Sequence, residues 1–148
     1  MATYDNDSTE IMPTVDASIF DTTNTQFIMT VNTDNTQGKL QVLAALNFAA
    51  PLKDFVDKPI KVCDCITMPG VRKSRDGGND TPCQNTYLID TDGNAYFSQS
   101  DGVKRSVLMI YALFPQFGKE TENGFIELKL VEQKLGNGNT LKNLVPVL

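Results

Sequence analysis

The chain has 148 residues, of which 41% are hydrophobic, and a formal net charge of −5. These values fit one folded domain with a substantial core, and no run approaches the roughly 20 apolar residues of a membrane-spanning helix, so we expect no membrane partner. The first ten residues, MATYDNDSTE, are acidic and polar, unlike a secretory signal, so we expect a cytoplasmic protein.

Charge is divided unevenly along the chain. Residues 1–36 contain six acids and no Lys or Arg, whereas residues 37–148 carry all 13 basic residues and 12 acids. We therefore divide the chain into an acidic Thr/Asn/Asp-rich extension, 1–36, that is partly disordered or an added hairpin, and one folded domain, 37–148. The extension is either a solvated tail or a segment that competes for a basic groove or binds a basic partner.

Several kinds of catalytic and metal site are excluded by composition. The sequence has no histidine and no phosphate-binding GxxxxGK[ST] loop, and nothing in it sets up a pair of catalytic carboxylates. Cys63, Cys65 and Cys83 are too few for a disulfide framework and a poor set for structural zinc, which takes four ligands. We expect no enzymatic activity, no metal and no cofactor.

The first predicted elements are two strands. One covers residues 39–48, and a connector with a helical turn near 52–56 leads to the other, over 59–68. Alternation in the second strand predicts that four apolar residues share its core face, namely Ile60, Val62, Ile66 and Met68. Pro69-Gly70 ends this strand, and a basic loop, residues 72–75, follows it.

A β-hairpin is predicted next, within NTYLIDTDGNAYFSQS, because Asp92-Gly93 is typical of a two-residue type I′ turn. That turn pairs Ile89 with Tyr96 and Leu88 with Phe97. Tyr87 and Tyr96 then share one face of the hairpin, and Phe97 lies on the other face.

The last predicted elements are an amphipathic helix over residues 101–114, stopped by Pro115, and a strand pair, FIELKLVEQKLGNGNTLKNLVPVL. An OB-type barrel has this chain order: a strand, a hairpin, a helix and a strand pair. We therefore predict a mainly β fold: a five-stranded OB-type β-barrel with one α-helix between strands 3 and 4, plus the acidic N-terminal extension. Such barrels commonly bind oligonucleotides.

Three stretches of this chain resemble the single-stranded DNA-binding proteins of small protein-primed tailed bacteriophages, an OB-fold family. NTDNTQGKLQVLAA is similar to that family's first strand, LIDTDGNAYFSQS to its central hairpin and FIELKLVEQKLGNGNTLKNL to its closing hairpin. Together they cover most of residues 31–148. The resemblance implies that the protein coats single-stranded DNA (ssDNA) without sequence preference during viral genome replication in the host cytoplasm, beside other replication proteins and without a cofactor.

Sequence-tolerant binding of ssDNA needs aromatic faces on which bases stack and cations along the backbone. The chain offers both kinds of side chain on the predicted strands and loops. The candidate ssDNA-binding residues are Lys39, Lys61, Arg72, Lys73, Arg75, Tyr87, Tyr96, Phe97, Lys129, Lys134 and Lys142. Each aromatic residue can instead belong to the core, and the basic loop can be an ordinary solvated loop.

Two other functions fit the same pattern. In the first, the barrel is a protein-interaction module that oligomerises by adding a strand of its extension to a neighbour's sheet edge. In the second, the chain is a viral structural β-protein, which has no salt-sensitive affinity for ssDNA.

Overall fold

The computed structural model describes residues 27–74 and 77–148. Most of the predicted acidic extension (1–26) and Arg75 of the basic loop lie outside this part of the chain. The elements, in chain order, are β1 (Ile28–Met29), α1 (Thr36–Phe48), β2 (Ala50–Pro51), a first 3-10 turn (Leu52–Phe55), β3 (Ile60–Arg72), β4 (Thr81–Asp90), β5 (Ala95–Ser98), α2 (Asp101–Leu113), a second 3-10 turn (Phe117–Glu120), β6 (Ile126–Lys134) and β7 (Thr140–Pro146).

The described strands form one curled, mixed sheet in the order β2-β5-β4-β3-β6-β7, with β1 paired to β3. β4 lines one edge of β3, while β6 and β1 share the other edge, at Ile60↔Leu128 and Ile28↔Thr67. The prediction of a mainly β fold is confirmed. The predicted order of strand, hairpin, helix and strand pair is also confirmed, from β3 to β7, and two short strands, β1 and β2, precede it.

Two hydrophobic cores lie on the two faces of this sheet, because neighbouring residues of one strand point to opposite sides. The first core lies beneath α2, and its completely buried side chains include Val62, Leu88, Val103, Val107 and Phe117. The second core lies beneath α1 and is built from Val31, Val42, Ala45, Ile66, Tyr87 and Ile89. Each face of the sheet therefore has a helix over it.

A β-bulge in β3 changes which of its residues point to which core. The pairing of β3 with β4 shifts between Val62 and Asp64. From this one strand the first core takes Ile60, Val62 and Cys65, and the second takes Ile66 and Met68. The prediction that Ile60, Val62, Ile66 and Met68 share a face is wrong, because the extra residue of the bulge reverses the alternation.

α1 occupies the place of the strand predicted over residues 39–48, so that prediction is wrong. Asn35 Oδ1 accepts a hydrogen bond from Gly38 N at 2.7 Å and caps the helix. Val42 and Ala45 are buried in the second core, whereas Leu40 and Leu43 are exposed. Apolar residues on both sides of the helix produce the pattern that was interpreted as a strand. The stretch NTDNTQGKLQVLAA is thus largely helical, and the predicted boundary between residues 36 and 37 falls inside α1.

α2 confirms the helix predicted before Pro115, and it covers the edge of β7. Ser100 caps it, and Gly102 packs against the backbone of β7 at Lys142. Ser106 Oγ accepts a hydrogen bond from Leu144 N at 3.1 Å. This bond satisfies an edge amide that would otherwise be unpaired. Neither described helix is long and apolar enough to cross a membrane.

The close approach of α2 to β7 predicts a specific sensitivity at Gly102. A Cβ atom at this position lies 1.8 Å from the carbonyl oxygen of Lys142, so Gly102→Ala must push the helix away from the strand. We expect a loss of about 1–3 kcal/mol in the free energy of unfolding, which exceeds the gain of up to about 1 kcal/mol in helix propensity. Urea denaturation measures this loss. The control is Gly136→Ala, whose added atom meets nothing within 4 Å; equal stability of the two variants would contradict the contact.

Candidate nucleic-acid interface

The hairpin loop closed by Asp90 and Asn94 has three residues, 91–93, rather than the two that were predicted. Asp90 N donates a hydrogen bond to Asn94 O at 2.9 Å, and Gly93 N donates to Asp90 O at 3.1 Å. Gly93 has φ of 86°, in the left-handed region that favours glycine. A tight turn followed by a left-handed glycine is the usual three-residue hairpin loop.

This loop shifts the hairpin register by one residue. Leu88 pairs with Tyr96, and Tyr87 pairs with Phe97. Tyr96 packs against the first core, whereas Tyr87 and Phe97 belong to the second. The prediction that Tyr87 and Tyr96 share a face is therefore wrong.

The carboxylate of Asp90 fixes both the loop and Tyr96. Asp90 is 8% exposed, and its oxygens accept hydrogen bonds from Asp92 N, Asn94 N and Asn94 Nδ2 at 2.9, 2.9 and 3.2 Å. The Tyr96 hydroxyl donates a fourth hydrogen bond to it at 2.9 Å. A buried carboxylate requires partners of this kind, so the loop, the carboxylate and the Tyr96 ring form one unit.

Tyr87 and Phe97 lie side by side beneath α1. Their ring centroids are 5.2 Å apart, with the planes tilted by 46°. Tyr87 is only 8% exposed, and burial raises the pKa of its hydroxyl. With α1 in place, a nucleobase has no access to the face of the Tyr87 ring.

Three aromatic side chains that reach solvent at least in part line a cleft between α1 and the β4–β5 loop. We call this the aromatic cleft and define it by Phe48, Phe55 and Tyr96; its volume is about 380 Å³. Phe48 is 84% exposed at the last position of α1. Phe55 and Tyr96 meet edge to face, with centroids 5.0 Å apart and an interplanar angle of 83°.

Small residues keep the aromatic cleft open. Its remaining walls include Ala44, Ala45, Ala50, Gly93 and Ala95. β2 joins α1 to the rest of the cleft, because Ala50, two residues after the end of α1, pairs with Tyr96. Of the cleft's three rings, sequence reasoning found only Tyr96. Phe48 was missed because the strand predicted over 39–48 gave no reason to expect an aromatic residue at a helix end. Phe55 was missed because its segment was predicted only as a connector with a helical turn.

Two of the three predicted cations of the basic loop, Arg72 and Lys73, are paired with acids. Arg72 lies at the end of β3, where its guanidinium is 3.7 Å from the carboxylate of Asp101. Lys73 forms an ion pair with Asp80 at 3.3 Å. Arg75 lies outside the described residues. Exposed pairs of this kind contribute little to stability, so the cation can leave its carboxylate and bind a phosphate instead.

The other predicted cations are spread over the sheet and α1. Lys61 is exposed on β3, with its Nζ 5.2 Å from the centroid of Phe125, and about 36 Å of extended strand separates it from Arg72. Lys142 pairs with Glu132 at 3.8 Å near the tip of the β6–β7 hairpin. The remaining three are Lys39 on α1 and Lys129 and Lys134 on β6. The described residues therefore include no single groove that gathers the predicted cations.

Two different cations lie on the segment that carries Phe55. Lys58 places its Nζ 5.7 Å from the centroid of Phe55. Lys53 is exposed in the 3-10 turn that also carries Phe55. Neither was predicted to bind DNA, because the segment between two prolines offered no strand or basic cluster to mark it.

The environment of Tyr96 predicts a pH effect on stability. Burial, followed by the hydrogen bond to Asp90, raises the pKa of Tyr96 to about 12 from 10.0. The unfolded chain releases this proton near pH 10, so the contribution to stability is complete below that pH and is lost as the pH rises towards 12. Urea titrations measure the difference in the free energy of unfolding between wild type and Tyr96→Phe. This difference should decrease as the pH rises from about 8 to 11. A difference that stays constant over this range would contradict the buried hydrogen bond.

The three cysteines are free, and within residues 27–74 and 77–148 no three side chains are grouped as metal ligands. The chain matches no protein-family model, no curated protein and no solved structure. The similarity to phage ssDNA-binding proteins therefore stays a prediction, and the geometry of the aromatic cleft is what supports a function.

Proposed function

We propose that the protein binds single-stranded DNA without sequence preference and that bases enter the aromatic cleft. The observation that carries this proposal is the exposure of Phe48, at 84%, beside two further rings, Phe55 and Tyr96. An exposed ring at the mouth of a cleft offers a face on which any base can stack, with a contribution of roughly 1–3 kcal/mol per base.

The size and chemistry of the aromatic cleft suit an unpaired base. Its volume of about 380 Å³ lies within the range of roughly 300–1,000 Å³ that is common for small-molecule sites. Seven of its nine lining residues are alanine or aromatic, and Asn94 adds a polar side chain. The aromatic rings offer contact to the π face of a base rather than to its hydrogen-bonding edge. Contacts of that kind bind all four bases, as sequence-independent coating requires.

Lys53 and Lys58 are the cations that would contact phosphates flanking a stacked base. Both are exposed in the segment that carries Phe55. Asp54 and Asp57 are exposed in the same segment and offset part of this charge. Stacking therefore supplies most of the affinity, and salt weakens binding only modestly; for two phosphate contacts the slope of log K against log salt is about −1.4.

The arrangement of the sheet supports a finer assignment. We propose that β3 to β7 form an OB-type half-barrel, because a strand, a hairpin, a helix and a strand pair follow one another in this order around a curled sheet. α1 covers Tyr87 and Phe97, which were predicted to stack bases. We therefore assign base stacking to the cleft at the end of α1. Coating of ssDNA during viral genome replication, in a reducing cytoplasm, would suit a chain whose three cysteines are free.

The proposal predicts quenching of tyrosine fluorescence on titration with a polythymidine oligonucleotide, because Tyr96 lies in the aromatic cleft and the chain has no tryptophan. Phe48→Ala should weaken binding about tenfold, since it removes one stacked base at roughly 1.4 kcal/mol. Leu113→Ala is the matched control: it truncates another highly exposed apolar residue, 78% exposed on α2, and should leave the affinity unchanged.

Two results would contradict this proposal. If no complex forms at about 50 mM salt, where phosphate contacts are strongest, the protein does not bind ssDNA. The chain would then be an interaction or structural module. If ssDNA binds but Phe48→Ala and Leu113→Ala behave alike, the bases lie elsewhere on the protein and the aromatic cleft is not the site.

A further inference from the structure

The polar groups at one end of the aromatic cleft are arranged around the carboxyl group of Asp90. The Tyr96 hydroxyl and Asn94 Nδ2 both donate hydrogen bonds to Asp90 Oδ2, at 2.9 and 3.2 Å. Asp92 N and Asn94 N donate to Asp90 Oδ1, each at 2.9 Å. Asp90 therefore acts as an acceptor throughout, and the donors that surround it are engaged inside the protein.

The two side chains that line the cleft at this end present acceptors to a ligand. The single hydroxyl hydrogen of Tyr96 is directed at Asp90, so the Tyr96 oxygen can only accept a further hydrogen bond. The amide of Asn94 has its nitrogen turned towards Asp90, which leaves Oδ1 directed away from that carboxyl group. Both residues line the cleft, and Asn94 is exposed.

The C-terminal end of α1 has the same character at the opposite wall. α1 ends at Phe48, and Ala44, Ala45 and Phe48 line this wall. The carbonyl groups of the last turn of a helix have no partner within the helix, and they form the negative end of its dipole. Among the described residues, no backbone amide outside α1 donates to the carbonyl groups of its last turn, which also contains no basic residue. Both walls of the cleft therefore favour a ligand group that donates hydrogen bonds.

The bases of DNA differ in the groups that they offer to such walls. Adenine, cytosine and guanine carry an exocyclic amino group, which is a donor, whereas thymine has a carbonyl oxygen, O4, where cytosine has its amino group. From the acceptors on both walls we infer that the aromatic cleft binds a base with an exocyclic amino group more tightly than thymine or uracil. This inference rests on the proposed function, and it makes Asn94 a residue that discriminates between bases.

The preference is modest and leaves binding general. One hydrogen bond more or less changes an affinity roughly two- to tenfold. Stacking on the exposed ring of Phe48 is common to all bases and supplies most of the affinity. The acceptors therefore rank the bases without restricting the cleft to one of them, so polythymidine remains a ligand and any sequence can be coated.

An oligodeoxycytidine and an oligodeoxyuridine of equal length test this ranking. Their bases present an amino group and a carbonyl oxygen at the same position, and neither has the methyl group of thymine. Each oligonucleotide competes with a fluorescein-labelled oligothymidine for the full chain, and anisotropy gives both affinities at about 50 mM salt and neutral pH. We expect the oligodeoxycytidine to bind roughly two- to tenfold more tightly.

A pair of alanine variants tests the assignment of Asn94. Asn94→Ala removes the side-chain acceptor, while the backbone hydrogen bond from residue 94 to Asp90 remains. The cytidine-to-uridine ratio of affinities should fall towards one in this variant. Asn123→Ala is the matched control: it truncates an asparagine that is also exposed but does not line the cleft, and it should keep the wild-type ratio. Circular dichroism checks that both variants are folded.

A pair of lysine variants tests the contribution of the helix end. Asn47→Lys places a cation in the last turn of α1, and Gln37→Lys places one in its first turn, about 15 Å away along the axis. Both variants should bind each oligonucleotide more tightly, because each adds a positive charge. Only Asn47→Lys should lower the cytidine-to-uridine ratio, because only this cation offsets the negative end of α1 beside the cleft.

Equal wild-type affinities for the two oligonucleotides, or tighter binding of the oligodeoxyuridine, would overturn the inference and leave the proposed function in place. A ratio that is the same in Asn94→Ala and Asn123→Ala would overturn it as well. If neither oligonucleotide binds, the proposed function and this inference fail together, so the two kinds of failure are distinguishable.

Discussion

The buried carboxylate of Asp64 joins three separate parts of the chain. It lies at the bulge of β3 and is 7% exposed, with the Thr30 hydroxyl at 2.6 Å and Lys119 Nζ at 3.0 Å. A carboxylate can be buried here only because it is both paired and hydrogen-bonded. The segment after β1, the second 3-10 turn and β3 must therefore meet at this point. The bulge just before it, between Val62 and Asp64, reverses the alternation of β3, so that Ile66 and Met68 reach the second core rather than the first.

The position of the aromatic cleft follows from this layering. α1 lies on the second core and packs over Tyr87 and Phe97, and three further rings line the cleft beside its C-terminal end. A second buried carboxylate, Asp90, holds the β4–β5 loop and orients Tyr96 towards the cleft. Two buried carboxyl side chains on neighbouring strands, Asp64 and Asp90, thus hold the segments that surround the sheet and the cleft.

The sequence was sufficient to predict elements whose signals are local. α2 was predicted from its 3.6-residue periodicity and from Pro115, and the β6–β7 hairpin from its alternation and its Gly-Asn turn. Three features depend on tertiary context and were missed. α1 has apolar residues on both sides, so its periodicity resembles that of a strand, and only the Asn35 cap marks it as a helix. The bulge lies next to Asp64, whose partners Thr30 and Lys119 are 34 and 55 residues away in the sequence. The third hairpin-loop residue depends on the hydrogen bonds of the buried Asp90, which alternation alone does not reveal.

We propose that bases stack in the cleft formed by Phe48, Phe55 and Tyr96. Aromatic ¹H–¹³C NMR spectra, recorded while a short polythymidine oligonucleotide is added, test it most directly, because a stacked base shifts the resonances of the ring beneath it. The account predicts upfield shifts for Phe48, Phe55 and Tyr96, while the completely buried Phe117 stays unchanged. Shifts confined to other rings, or the absence of any shift under conditions where the oligonucleotide is bound, would contradict it.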